Sequence, residues 1–180
     1  DDLYKDGLQR EQFIPFINTL KDYSNQIELK IDEDYRMNNN DRNERFLSPL
    51  NQTTNFKLNK FFRKITKDKR QSVKILEVKG RQLQIKNFYE GISKFYFKEL
   101  FDKNLGSEDF IKIAANCIFI FIENLPNFNE NNSDQQQRFI TFIDVIYEKK
   151  IPLMITSEVN LRSIKSSKNL IDPFKRTVSR

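Results

Sequence analysis

Residues 117–122 read CIFIFI, and residues 151–157 read IPLMITS. Neither run alternates apolar with polar residues. A strand with one face in water shows a period of two, so an unbroken apolar run marks a strand covered on both faces, as in a parallel sheet. Between the runs, Phe139, Ile140, Phe142, Ile143 and Ile146 form a wide apolar stripe at helical spacing. Ser133 and Gln136, three apart, have the spacing of a capping box at its start. Strand, helix and strand make a βαβ unit, which predicts parallel strands joined by a right-handed crossover. The fold class is therefore α/β: a partly parallel sheet with flanking helices.

The preceding sequence fits around that sheet. ISKFYF (92–97) reads as a short strand, and KELFDKNLGSEDFIKIAANC (98–117) as two short helices, with Ser107 capping the second and Glu108 and Asp109 in its first turn. SVKILEVKGRQLQIK (72–86) alternates on both sides of Lys79-Gly80, which predicts a β-hairpin with Gly80 at positive φ. Whether this hairpin joins the main sheet is not decided by its pattern. A helix is predicted from about Asn51 to Thr66, with Leu58, Phe61, Phe62 and Ile65 on one face. The basic run RKITKDKR at its end suits the helix dipole. MNNNDRNER (37–45) reads as a polar loop, and QIELKID (26–32) as a half-buried strand. Phe13, Phe16, Ile17 and Leu20 predict an amphipathic helix that begins near Glu11, so that Pro15 falls in its first two turns.

Composition removes several chemistries. The chain has no His and one Cys, so no His-based triad, His/Cys zinc site or disulfide can be assembled from it, and no metal site is predicted. Its apolar runs are too short to span a bilayer as a helix. The first residues show no signal-peptide pattern, and a sequence without an initiator Met does not testify on targeting. No G-x-x-x-x-G-K-[ST] loop is present and there are four Gly, so these residues alone are not expected to bind a nucleotide tightly. A net charge of +6 favours an acidic partner such as nucleic acid or an anionic membrane face, although the cations are spread among many acids. Glu123, Thr156, Ser157 and Glu158 close the two apolar strands, where open α/β sheets bind ligands; solvated turn residues are the plainer reading. Arg138 and Asp144, six apart, are expected to anchor helix ends separately. Cys117 reads as a buried small residue.

LYKDGLQREQFIPFINTL (3–20), DYR (34–36), FKELFDKNLGSEDFIKIA (97–114), QQQRFITFIDVIYEKKIPLMITS (135–157) and PFKRTVSR (173–180) resemble, in that order, the C-terminal half of the ZapE family. These are AAA-like P-loop ATPases, comprising the bacterial cell-division ATPase and its mitochondrial relatives. The resemblance implies the C-terminal part of a P-loop NTPase-like fold with a β-hairpin insertion. Residues 1–36 would end the AAA-like ATPase core, 37–90 would be polar loop, helix and hairpin, and 91–180 an α/β region with the βαβ unit on the same core. In such proteins Walker A, Walker B and a sensor strand precede LYKDGLQR. The chain thus reads as a fragment, inactive alone and only marginally stable, of a protein that hydrolyses ATP with Mg2+.

The same resemblance implies roles for particular residues. Arg10 stands where AAA-like ATPases carry an arginine finger, reaching the γ-phosphate on a neighbouring subunit; pairing with Asp6 or Glu11 on the surface is the alternative. Arg36 of DYR reads as half of a local ion pair. Arg176 and Arg180, four apart beyond Pro173, would share a helix face as sensor-like cations near the nucleotide. The implied partners are further copies in a homo-oligomer and a protein that is remodelled, with the cell-division ring as the bacterial setting. The location would be cytoplasmic in a bacterium and mitochondrial in a eukaryote. The competing class is a non-enzymatic α/β module for nucleic acid or an anionic membrane. IENLPNFNENNSDQQQRF and the Asn-rich residues 38–43 depart from the family pattern.

Overall fold

The computed structural model describes residues 10–24 and 45–179. The predicted strand at 26–32, nearly all of the 37–45 loop, Arg36 and Arg180 lie outside the described residues. The chain divides into two units, residues 1–35 and 36–180. In the first, α1 (Arg10–Tyr23) forms as the periodicity predicts, with Pro15 inside it. None of its residues is buried, and Phe13, Phe16 and Leu20 of its apolar stripe are exposed.

The second unit is built on one six-stranded sheet. Its elements are β1 (Phe46–Leu47), α2 (Gln52–Thr66), β2 (Ser72–Val78), β3 (Arg81–Tyr89), β4 (Ile92–Tyr96), α3 (Phe97–Phe101), α4 (Ser107–Asn116), β5 (Phe119–Leu125), α5 (Ser133–Glu148), β6 (Leu153–Ser157) and α6 (Ile171–Val178). The strand order is β1-β6-β5-β4-β3-β2. β1, β6, β5 and β4 are parallel, while β3 and β2 continue the sheet antiparallel. The hairpin at 72–86 is therefore part of the main sheet.

Unbroken apolar strands demand cover on both faces, and both are covered. Ile120 and Ile122 of β5 point into the larger core, with Phe101 of α3, Phe110 and Ile113 of α4, Phe139 and Phe142 of α5 and Phe174 of α6. Phe121 points the other way, with Leu47, Ile92 and Met154, under Leu58, Phe61 and Phe62 of α2. Rings interlock on each side: Phe110 meets Phe142 edge-on at 5.4 Å on the first, and Phe62 meets Phe121 edge-on at 5.2 Å on the second. Among the described residues of this unit α2 covers the second face, because the link between the two edge strands β1 and β2 crosses there.

Two tight turns set the antiparallel registers. Lys79 and Gly80 both have positive φ between the paired residues Val78 and Arg81, the geometry of a two-residue type I′ loop, as Gly80 predicts. Glu90 and Gly91 repeat it between Tyr89 and Ile92. A Cβ on Gly91 would lie 3.1 Å from Cγ1 of the exposed Ile118, a close contact that adds to the strain of its positive φ.

Helix starts differ from the sequence expectation. Ser107 is not the cap of α4; it is the first helical residue, with Gly106 before it. The capping acceptor is Asp109, whose Oδ2 takes the Gly106 N–H at 2.8 Å and also binds the Arg81 guanidinium. Lys79 pairs with Glu108 at 2.6 Å, so both cations at the hairpin tip are held by the first turn of α4. The Ser133/Gln136 capping box does not form either. Asn129 and Asn132 close the preceding 3-10 turn, the Asn129 N–H donating to Asn132 Oδ1 at 2.7 Å. Gln136 is fully buried and serves the segment after β6, accepting the Ser167 N–H at 3.0 Å and donating to Ser166 Oγ at 2.6 Å.

Asp109 is buried and joins helix start to hairpin tip, so Asp109→Ala is expected to lower the unfolding free energy by about 2–4 kcal/mol. Urea melts check this, with Glu108→Ala, exposed at the same turn, expected to cost less than about 1 kcal/mol.

Candidate functional site

The four parallel strands bring their carboxyl ends to one edge of the sheet, the edge where α/β proteins place ligands. Near this edge Lys94 of β4 and Glu123 of β5 face each other, with Nζ 3.1 Å from Oε1. Their side chains are 19% and 13% exposed, and the Lys94 ammonium lies 5.2 Å from the centre of the Phe62 ring on α2. Glu123 Oε2 is buried and accepts no hydrogen bond from the described residues. Asn124 follows with φ of +64°, at the point where the β5–β6 register shifts. Such a bulge re-aims the side chains beside it.

The hydroxyls at this edge are occupied. Thr156 Oγ1 accepts the Asn124 N–H at 3.1 Å, and Ser157 Oγ donates to the Leu125 carbonyl at 2.9 Å. Both residues are buried. They stitch β6 to β5 across the bulge, which corrects any reading of them as ligand-facing groups; Glu158 is exposed beyond them.

Where neighbouring parallel strands send their chains to opposite faces, an α/β sheet opens a crevice. β6 leads to α6 on the first face and its neighbour β1 leads to α2 on the second. A cleft of about 330 Å³ opens at that point, lined by Phe46, Leu47, Ser48, Asn51, Thr53, Thr54 and Lys57. Asn51 Oδ1 accepts the Thr54 N–H at 2.9 Å, and Thr54 Oγ1 donates to the Pro49 carbonyl at 2.6 Å. The lining holds a lysine, a helix start and no carboxylate, which suits an anionic group and offers no general base. Among the described residues no group of three or more His, Cys, Asp or Glu could hold a metal ion. No described helix is long and apolar enough to cross a membrane.

The predicted site residues are dispersed. Arg10 is the first residue of α1. Arg176 lies on α6, 61% exposed, 3.7 Å from Asp144 of α5. α6 ends at Val178, before Arg180. Arg138 and Asp144 act apart, as their spacing predicts. Arg138 donates to the Phe101 carbonyl at 2.9 Å and to Asn104 Oδ1 at 3.0 Å, closing the end of α3. Cys117 is buried beside Ser93 Oγ at 3.2 Å, and burial pushes its thiol up from 9.0 to about 11. Lys94 was not singled out by the sequence. Its signal was a lone cation inside a five-residue strand facing an acid on the neighbouring apolar strand.

The comparisons with known proteins agree on a family. The one described as AFG1-like ATPase matches residues 1–180. The chain is 26% identical over 180 residues to "Cell division protein ZapE" of Escherichia coli strain K12, covering all of this chain and 48% of that protein. It is 29% identical over 173 residues to "Lactation elevated protein 1 homolog B" of Danio rerio, covering 89% of this chain and 33% of that protein. An uncharacterized protein of Schizosaccharomyces pombe is 30% identical over 165 residues, covering 91% and 36%. The chain thus spans half or less of the length of these relatives. No solved structure matches it significantly.

Two outcomes test these side-chain placements. Lys94→Met leaves the Glu123 carboxylate half-enclosed without its cation and is expected to cost about 1–3 kcal/mol in urea melts, most of it recovered by adding Glu123→Leu. The raised Cys117 thiol holds its proton in the folded state after the unfolded chain has released its own. Its stabilising contribution is therefore intact below pH 9.0 and lost as pH rises toward about 11. A Cys117→Ala variant compared with the parent across that range should remove a fall of about 2–3 kcal/mol.

Proposed function

This chain belongs to the AFG1-like ATPase family, and we propose that it is the C-terminal portion of an ATP-hydrolysing enzyme that couples turnover to the remodelling of a protein partner. The observation that carries this reading is the family match over the whole of residues 1–180, supported by an α/β sheet of mixed strands with helices on both faces. The chemistry requires a cradle for the phosphates, an Mg2+ ion to offset their charge and a cation for the charge that develops in transfer. These 180 residues contain no phosphate-cradling sequence, so in this proposal ATP and Mg2+ are held by other parts of the protein. What this chain contributes is the cation.

Arg10 is that cation. A guanidinium at the start of a helix is a fixed fork of donors that can meet phosphate oxygens. Acting on a neighbouring copy, it would make hydrolysis depend on assembly, so the working form is a homo-oligomer. Arg176 and Arg180 are secondary, sensor-like cations in the same scheme. The E. coli relative is named for cell division. The setting we propose in a bacterium is accordingly the cytoplasm, with components of the division ring as partners, and in a eukaryote the mitochondrion.

The test is ATP turnover by the full-length protein with and without Arg10→Ala. A loss of about a hundredfold or more in kcat with nucleotide affinity retained is the expected result, because a finger acts in the transition state. Mixing the Arg10→Ala protein with a copy unable to bind ATP should restore part of the activity if the finger works between subunits. Unchanged turnover would remove Arg10 from the mechanism.

A further inference from the structure

Charge is unevenly placed along the chain. Residues 51–88 carry eleven Lys and Arg against two acids, Asp68 and Glu77, a net of +9 within a chain whose total is +6. Everything else is net acidic. The excess is concentrated on α2, where Gln52–Thr66 includes Lys57, Lys60, Arg63 and Lys64 and no acid, followed at once by Lys67. The helix dipole accounts for cations in the last turn only. Lys57 and Lys60 lie in the middle of the helix, where the dipole gives no support. Cations three and four apart also repel on a helix face, so this arrangement destabilises α2 unless something anionic lies outside it.

In and beside this region four cations are paired, whereas Arg70, Lys74 and Lys86 have no ion-pair partner among the described residues. Lys69 pairs with Glu90, Lys79 with Glu108, Arg81 with Asp109 and Lys94 with Glu123. Among the described residues, Lys60, Arg63, Lys64 and Lys67 have no ion-pair partner, and all are exposed. The apolar face of α2, with Leu58, Phe61, Phe62 and Ile65, is spent in the core. The cations therefore form its outward wall.

The hairpin that follows α2 in the chain carries a second exposed surface. Leu76, Leu83 and Ile85 of the hairpin point into the larger core, so their alternates Val73, Ile75, Glu77, Gln82, Gln84 and Lys86 lie on the same side of the sheet as α2, with Glu77 the one acid among them. α2 does not cover them: Val73 is 57% and Ile75 51% exposed, and the two glutamines and Lys86 are exposed as well. Phe56, at the other end of α2, is 67% exposed.

We propose that this face binds single-stranded nucleic acid, with the phosphates along the α2 cations and the bases against the Val73–Ile75 surface and its amide side chains. Cations recurring at each turn suit a chain of phosphates rather than one anion. Apolar and amide groups on the same side of the sheet suit bases whose faces and edges are free, as in a single strand. A lipid surface is the poorer fit, because an interfacial helix inserts its apolar face and α2 has buried that face in the core. Binding on α2 is separate from ATP hydrolysis, so its failure would leave the Arg10 proposal standing.

The experiment is fluorescence anisotropy of the full chain with labelled single-stranded RNA and DNA of mixed sequence, titrated from low to moderate salt. Lys60→Gln, Arg63→Gln, Lys64→Gln and Lys67→Gln are combined in one variant. A control combines Lys98→Gln, Lys103→Gln, Lys112→Gln and Lys149→Gln, four exposed lysines elsewhere with the same change in net charge. The α2 variant is expected to bind at least about tenfold more weakly, with a log–log salt slope shallower by about 0.7 for each phosphate no longer neutralised. The control should weaken far less. Lys60→Arg with Lys64→Arg and Lys67→Arg should keep the binding, and Ile75→Ser should weaken it without changing the salt slope. No binding at low salt, an equal weakening in variant and control, or tighter binding to phosphatidylserine vesicles than to either oligonucleotide would each overturn the proposal.

Discussion

A strand that offers no polar side must be enclosed twice, and β5 is such a strand. Once Ile120 and Ile122 point one way and Phe119 and Phe121 the other, the sheet needs a helical layer on each face. The first layer comes from the chain order itself, because the segments between successive parallel strands supply α3, α4 and α5. Among the described residues the second has one source. The link from β1 to β2 crosses the other face, and α2 within it supplies Leu58, Phe61, Phe62 and Ile65. Without that helix, Phe121 and Met154 would meet water.

That dependence explains which parts of the fold were legible in the sequence. β5, β6 and α5 could be read because their residues obey a period or abolish it over many positions. The hairpin at Lys79-Gly80 could be read because alternation is interrupted by a glycine. β1 could not: two residues, Phe46 and Leu47, give no period, and their strand character comes from pairing with Ile155 and Thr156. The caps were misread because Ser107 and Ser133 have side chains suited to capping, yet each is already the first helical residue, and Asp109 and Asn132 accept the N–H groups of Gly106 and Asn129. Local propensity names the residue types that can cap a helix; the packed neighbour decides which one does.

The candidate site divides in the same way. Glu123 was visible as an acid at the end of an apolar strand, yet its partner Lys94 belongs to a strand about thirty residues earlier, brought alongside only by the sheet. Thr156 and Ser157 looked available because nothing in IPLMITS predicts the bulge at Asn124, and that bulge leaves one N–H and one carbonyl for their hydroxyls to meet. Arg10 and Arg176 gained their assignments from family resemblance, which spacing alone could not have supplied.

α2 carries two obligations that share no atoms. Its inner face is fixed by the rings it must cover, leaving substitution there little room. Its outer face is under no such constraint, since exposed helix positions accept glutamate, glutamine or alanine at little cost. A helix chosen for stability alone would place acids among those cations and gain from each pairing. This chain does so at Lys69, Lys79 and Arg81, though Arg70, Lys74 and Lys86 have no ion-pair partner among the described residues. An acid-free α2 beside those paired cations therefore gives up stability that was within reach, and a ligand outside the fold is the physical reason that fits the sacrifice.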